Sequence, residues 1–408
     1  MKETIKKFIP AFLIGWYHFF LAFLGVLIYR FPSCLRRQAK KIKVIGITGT
    51  KGKSTVVELA SRILENAGYK VASLSSIKFK IGEKEWSNKL KMTMPGRMKV
   101  QRFLREAVNS NCQYAILEVT SEGILQHRHQ FIDFNVVVFT NLSPEHIERH
   151  GSFENYRKAK GKLFKACKKV HILNLDDENV NYFLQFKAEK KFGFTSTSIK
   201  ELPTGLNFEI EDIKFELNLL GQFNVYNALA AICIGLAQGI DLETCKSSLE
   251  RIKGIPGRME EVISQPFKVI VDYAHTPDSL ESVYKTLSDS KLICVLGAAG
   301  GGRDKWKRPK MGEIASKYCQ KIILTNEDPY DESPLKILED IEKGFPQTLE
   351  YEKILDRREA IKKALSLAKK DDTIIITGKG CEPWMCVAGG KKIPWDDRQV
   401  VKEEFEKL

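Results

Sequence analysis

The 408-residue sequence predicts an α/β protein, with two consecutive parallel-sheet domains behind an N-terminal hydrophobic helix. Three observations predict it. Short apolar runs that read as buried strands alternate with stretches apolar at helical spacing. The first such strand runs into a Gly-rich loop and then a helix. A second alternating series begins after Gly254-Ile-Pro-Gly257. At roughly 100–200 residues per domain the length fits two or three domains. The 43% hydrophobic content supplies an ordinary globular core.

The elements follow in order. Phe8 to Tyr29 carries no formal charge, and about 20 apolar residues suffice to cross a bilayer. Arg30, Arg36, Arg37, Lys40, Lys41 and Lys43 follow it, against Lys2, Lys6, Lys7 and Glu3 before it. That asymmetry puts the body in the cytoplasm, with the apolar segment as an anchor at the cytoplasmic face of the membrane. A buried or interfacial helix is the other reading. Lys43 to Thr48 is a strand, Ser54 to Ala67 a helix and Val71 to Leu74 a strand. Tyr114 to Val119, Asn135 to Thr140 and Val170 to Asn174 read as further strands, with helices at Val100 to Ser110 and Phe153 to Cys167. Phe208 to Leu220 alternates as a hairpin does, and Val225 to Ala237 is an apolar helix. Phe267 to Val271, Lys291 to Leu296, Lys321 to Thr325 and Asp372 to Thr377 are the strands of the second series. The expected divisions are 1–42, 43–258 and 259–408.

The net charge of +14 favours anionic partners. No zinc-finger spacing and no aromatic-basic stripe points to nucleic acid, which is not expected as a partner. Nine cysteines without a CxxC pair read as reduced thiols.

The loop Gly46-Ile-Thr-Gly-Thr-Lys-Gly-Lys-Ser54 has the pattern of a P-loop, with the first glycine one residue further out than the strict spacing. Backbone N–H groups of Gly49, Thr50, Lys51 and Gly52 would cradle ATP phosphates at a helix N-terminus. Lys53 would neutralise the terminal phosphates, and Ser54 or Thr55 would offer a hydroxyl to Mg²⁺. Glu118 ends a buried strand, where α/β sheets bind ligands. Thr140-Asn-Leu-Ser-Pro-Glu-His146 follows another strand, so His146 sits in a polar strand-end setting. Taken singly, a strand-end carboxylate or a lone histidine is as readily a solvated or structural group.

Together these stretches resemble the Mur ligase family, of the muramyl-tripeptide synthetase type. The resemblance is carried by Thr48 to Ser54, by Thr140 to Lys160, by Gly221-Gln-Phe-Asn-Val-Tyr-Asn227 and by Val271-Asp-Tyr-Ala-His-Thr-Pro-Asp278. Pro256-Gly-Arg-Met-Glu260, Arg303-Asp-Lys-Trp-Lys-Arg-Pro309 and Gly378-Lys-Gly-Cys-Glu382 add to it, and it runs in order from about Ile42 to the C-terminus. It implies a P-loop central ATPase domain and a C-terminal Rossmann-like α/β domain. It implies an ATP-dependent amide ligase that adds an amino acid, the third residue of a peptidoglycan stem peptide, to a muramyl-peptide acceptor through an acyl-phosphate. It implies two Mg²⁺ ions, with Ser54, Glu118, His146 and a carbamate on Lys160 as ligands. Asn141, Asn224, Asn227, Arg258, Asp272 and His275 then belong to the ATP site. Thr93, Thr120, Ser121, Arg128, Arg303, Asp328, Tyr330, Gly378 and Glu382 belong to the substrate cleft.

Three departures from the family pattern stand out. About forty residues precede the P-loop strand, where such synthetases carry a uridine-binding domain; a lipid-linked muramyl acceptor is one reading of this. Glu327-Asp-Pro-Tyr330 replaces the Asp-Asn-Pro-Arg of diaminopimelate enzymes, and a phenol does not substitute for a bidentate guanidinium. Asp328 and Glu382 would then suit an amine side chain such as that of lysine or ornithine, with Arg303 or Arg308 left to meet a carboxylate. Cys381, Glu122 and Met94 replace two histidines and a threonine. Alternative readings are a folylpolyglutamate or cyanophycin-type amide ligase, and a membrane-tethered P-loop ATPase without ligation.

Overall fold

The computed structural model describes residues 11–29, 42–90, 92–196, 199–202 and 204–408. The apolar segment forms helix α1 (Ala11–Tyr29). Phe8 to Pro10 and the basic stretches Lys2 to Lys7 and Arg30 to Lys41 lie outside the described residues. Among the described residues no helix is long and apolar enough to cross a membrane. α1 instead lies against the globular body, where Ala22 and Val26 are buried.

The first sheet is built from β1 (Lys43–Thr48), β2 (Val71–Leu74), β3 (Lys78–Ile81), β4 (Lys84–Ser87), β5 (Tyr114–Glu118), β6 (Phe134–Phe139), β7 (Val170–Asn174) and β8 (Lys190–Phe194). Their order is β4-β3-β2-β5-β1-β6-β7-β8. All pairings are parallel except those of the edge hairpin β3–β4 with β2 and with itself. Helices α2 (Lys53–Asn66), α3 (Arg97–Asn109), α4 (Ser121–Leu125), α5 (Ile147–His150), α6 (Phe153–Ala166) and α7 (Val180–Leu184) connect the strands. Their apolar positions explain the packing. In α2, Val56, Leu59, Ala60 and Ile63 recur at i, i+3, i+4, i+7 and are all buried. Val56, Leu59 and Ile63 each contribute about 1.5–3 kcal/mol. A small antiparallel sheet of β9 (Ile199–Leu202), β10 (Gly205–Ile210) and β11 (Ile213–Leu217) follows, with Phe208 stacked on Phe215. Then α8 (Phe223–Ala237) and α9 (Leu242–Glu250) pack against α2.

β1 lies between β5 and β6, paired in register Ile47↔Glu118 and Thr48↔Phe139. The carboxyl ends of three strands therefore meet at one edge, and the sequence motifs that follow them are brought side by side.

The second sheet is β12 (Glu260–Ile263), β13 (Lys268–Val271), β14 (Leu292–Leu296), β15 (Lys321–Leu324), β16 (Glu352–Lys353) and β17 (Thr373–Ile376), ordered β12-β13-β17-β14-β15-β16. Only β12 runs antiparallel. Helices α10 (Pro277–Thr286), α11 (Lys307–Tyr318), α12 (Pro334–Glu342), α13 (Arg357–Leu367) and α14 (Asp397–Phe405) flank it, and β18 (Trp384–Cys386) pairs with β19 (Lys392–Pro394).

Within this domain Arg357 and Asp397 are fully buried and bound at 2.7 and 2.8 Å. Arg357 also donates to the carbonyls of Thr377 and Asn326, the residues just ahead of Gly378 and Glu327. Removing one partner strands a buried charge, so Arg357→Ala is expected to cost about 3–5 kcal/mol. Urea denaturation checks this, as a lowered midpoint at unchanged slope.

Burial also holds the His129 imidazole at a pKa of about 4, with His127 and Lys162 adding to the effect. The unfolded chain then binds a proton that the folded one refuses. Stability conferred above pH 6.5 is lost as the pH falls toward 4, on the order of 3 kcal/mol. A pH series of urea midpoints is expected to show a shallower acid limb for His129→Leu than for the parent.

Candidate functional site

A cleft of about 560 Å³ runs from the carboxyl ends of β1, β5 and β6 to the facing loops of the second sheet. Its floor is the Gly-rich loop. Gly52 sits at φ +80°, and a Cβ there would fall 2.1 Å from Asn227 Oδ1, so only glycine lets the loop approach α8 so closely. Asn141 holds the loop from the other side. Its carbonyl accepts from Thr50 N, its Oδ1 accepts from Lys51 N, and its Nδ2 donates to Lys51 O. Asn227 donates to Asn224 Oδ1 and Asn224 donates to Leu220 O, so neither asparagine caps α8. Lys53 Nζ donates to the Thr50 carbonyl at 2.7 Å, curled over the loop.

One wall is polar and built on oxygen. Glu118, at the end of β5, is 3% exposed. Its Oε2 accepts from Ser54 Oγ at 2.8 Å and from Ser76 N at 2.9 Å. Of the two hydroxyls proposed from sequence, Ser54 is the one turned to this carboxylate. His146 begins α5 at φ +57°, a costly conformation for a residue with a Cβ. Burial brings its pKa to about 4, and Arg303 and Lys160 add to the shift against Glu145 and Glu122. Its imidazole is therefore neutral, as a metal ligand must be. Among the described residues no three His, Cys, Asp or Glu side chains cluster as a metal site. The hard donors Ser54 and Glu118 suit Mg²⁺, which normally takes few protein ligands and completes its shell from water and phosphate. The residues present fit such an ion.

Lys160 lies behind the loop rather than on the cleft surface. It is 1% exposed, and its Nζ donates to Gly49 O at 2.7 Å. Burial first, and the Lys53 charge second, hold its amine well below the usual lysine range.

The second domain supplies the opposite wall. Glu145 is 8% exposed, and the hydrogen bond from His275 and the charge of Lys307 keep its carboxyl below the usual range against the opposing effect of burial. His275 Nε2 lies 3.1 Å from Glu145 Oε1, and Lys51 pairs with Asp278 at 3.3 Å. Glu148 N donates to Asp304, and Lys305 N donates back to Glu148. These contacts hold the two domains closed across the cleft.

Thr93, Thr120, Ser121, Arg128, Arg258, Arg303, Asp328, Tyr330, Gly378 and Glu382 all line the same cleft. Gly49, Lys160 and Arg308 are sequence-derived candidates that do not line it. Three expectations change. Asp272 does line the cleft, but its oxygens accept from Met259 N and Ala274 N, so it fixes the interdomain turn. Asp328 and Glu382 do not await an amine: Lys379, buried between them, binds Asp328 at 2.9 Å and Glu382 at 2.8 Å. Arg308 is fully buried on Glu332 and Asp340 and cannot reach a substrate.

The sequence reading missed Glu145, Lys307 and Glu327. Glu327 is 4% exposed, lines the cleft, and has no hydrogen-bond partner at Oε2 among the described residues. Burial and Asp328 raise its pKa. A strand-end position after β15 was the one available signal for it.

Comparison with known proteins agrees with this geometry. Residues 47–235 match the model of the Mur ligase middle domain, and residues 257–380 that of the Mur ligase glutamate ligase domain. The chain is 40% identical over 380 residues to a UDP-N-acetylmuramoyl-L-alanyl-D-glutamate–2,6-diaminopimelate ligase of Caldanaerobacter subterraneus, covering 89% of this chain and 78% of that one. It is 39% identical over 384 residues to the protein so named in Aquifex aeolicus, covering 90% and 78%. Among solved structures, a ligase with that name superimposes with a TM-score of 0.60 at 29% identity, over 90% of this chain and 78% of that one. Folylpolyglutamate synthase of Mycobacterium tuberculosis shares the fold, with a TM-score of 0.71 at 16% identity over 88% and 91%.

Proposed function

Since the chain belongs to the Mur ligase family, and is an ATP-dependent ligase forming carbon–nitrogen bonds, we propose that it adds a diamino acid to the D-glutamate end of a muramyl-dipeptide acceptor. The observation that carries this is the convergence in one closed cleft of Lys53, Glu118 and His146 from the first domain with Arg258, Arg303 and Glu327 from the second.

In this reading the acceptor carboxylate attacks the γ-phosphorus of ATP, giving an acyl-phosphate and ADP. The amine of the amino acid then attacks the acyl carbon, phosphate leaves, and the nitrogen loses a proton. The first step gathers negative charge, so alignment and cations matter more than a protein nucleophile. Lys53 and the loop N–H groups hold the phosphates. Two Mg²⁺ ions would be held by Ser54 and Glu118 and by His146 with a Lys160 carbamate, and would offset the charge of the transferring phosphoryl group. Arg303 and Lys307 add positive charge from the second domain. Closure through Glu145–His275 and Lys51–Asp278 keeps water from the acyl-phosphate.

Glu327 is the carboxylate placed to receive a distal ammonium, because Asp328 and Glu382 are already bound to Lys379 while Glu327 Oε2 has no hydrogen-bond partner among the described residues. The relatives named above act on 2,6-diaminopimelate. Tyr330 stands here in the selecting motif, and Arg303 is a cleft cation able to meet a second carboxylate. Residues 8–29 make the proposed contact with the cytoplasmic face of a membrane.

Phosphate release is measured with muramyl dipeptide as acceptor and a panel of diaminopimelate, lysine and ornithine. Release that requires both acceptor and amino acid is expected. Release without the amino acid would favour a simple ATPase, and activity on a pteroyl-glutamate instead would favour the folate reading.

A further inference from the structure

Helix α1 has two unlike sides. One is packed: Ala22 and Val26 are buried, Gly25 lets the helix backbone close on Met98 and Gln101 of α3, and at its margin Phe19 and Phe23, 37% and 44% exposed, meet Phe131 with ring centroids 5.2 and 5.9 Å apart. The other side carries Leu13, Trp16, Tyr17, Phe20, Leu27 and Ile28, each 48–69% exposed. The 13, 16, 17, 20 and 27 positions form one stripe at helical spacing, without a charge. So large an apolar stripe calls for a partner.

Charge identifies the partner. Residues 2–7 and 30–43 on either side of α1 hold nine Lys or Arg and one Glu. On α3 Lys99 is exposed, and Arg102, paired with Glu106, is exposed on the same helix. Two copies meeting through this stripe would press these basic flanks together. An anionic lipid surface would neutralise them, and Trp and Tyr favour the level of the headgroups. Insertion across the bilayer would set Gln101, 1% exposed and donating to Gln130 O, against hydrocarbon.

The packed side of α1 rests on the segment 127–131. Arg128 of that segment lines the cleft and donates to Met94 O, and Met92 to Met94 line the cleft beside it. We propose that the outward stripe of α1 seats in the plane of an anionic bilayer and holds the Met92–Met94 and Arg128 side of the cleft at the lipid surface, where it takes a lipid-linked acceptor. This rests on the ligase reading above.

The full chain is sedimented with phosphatidylcholine vesicles, with or without phosphatidylglycerol. Binding is expected to need the anionic lipid, and to fall about tenfold or more in the double variant Trp16→Glu, Phe20→Glu. Both proteins should turn over soluble muramyl dipeptide equally, which shows that the variant folds. With the acceptor on a lipid carrier in the same vesicles, the parent should exceed the variant about tenfold. Lipids brominated near the headgroup should quench Trp16 more than lipids brominated at the chain end, with Trp16→Phe as control. Absent vesicle binding, equal binding by the variant, stronger quenching from the chain end, or a lipid-free dimer that the variant splits would each overturn the proposal. Failure with both soluble and lipid-linked acceptor would count against the ligase reading, while vesicle binding is read separately.

Discussion

Lys53→Ala is expected to lower ATP turnover by about 10²–10³-fold, the scale seen when one preorganised donor to developing charge is removed. Lys53 opens α2, and its Nζ reaches back over the loop to Thr50 O. The side chain is not part of the α2 core, so truncation leaves the fold intact. Single-turnover phosphate release, with circular dichroism and a urea midpoint as fold controls, checks this. Turnover within about threefold of the parent would show that the loop N–H groups and Mg²⁺ suffice without the lysine charge.

The second large effect concerns Lys160. Its amine is enclosed behind the phosphate loop, with the Gly49 carbonyl as its acceptor among the described residues and the Tyr156 ring 4.6 Å away. Burial and Lys53 favour the neutral form. A neutral amine has the lone pair needed to add to CO₂, giving a carbamate anion and releasing one proton. The product would set a negative charge beside the positive Lys53, where the free amine offers none. Lys160→Ala is therefore expected to slow turnover by about 10²-fold, and acetate or chloride to restore part of it by replacing the lost negative charge. Steady-state phosphate release with and without acetate tests this. Normal turnover of the variant would sink the carbamate assignment. Failure of both anions to rescue a folded variant would make Lys160 a structural prop of Gly49.

Much of the fold was legible because buried parallel strands are unbroken apolar runs bounded by turn residues. KVIGIT, VASL and VHILN each appear as strands where expected. The hairpin β3–β4 was not legible. Its Lys78, Lys80, Lys84 and Glu85 belong to an edge, where charges guard the open backbone and erase the apolar signal. The site divides in the same way. Motifs at strand ends could be found locally. The pairings of Lys379 with Asp328 and of Arg308 with Glu332 join residues 51 and 24 positions apart, and no local pattern announces them.

The phosphate loop, the order of the two α/β units and the strand-end settings of Glu118 and His146 could all be read from the chain before folding. Loop chemistry and strand ends are properties of a few neighbouring residues, so they are written locally. Tertiary structure alone decided which charges remain available. It bound Asp328 and Glu382 to Lys379, retired Arg308 to the interior, left Glu327 Oε2 without a hydrogen-bond partner among the described residues, and laid α1 along the body with one side outward. Those outcomes depend on burial and on partners brought in from distant chain, and desolvation turns the same side chain from a solvated charge into a ligand, a nucleophile or a strut.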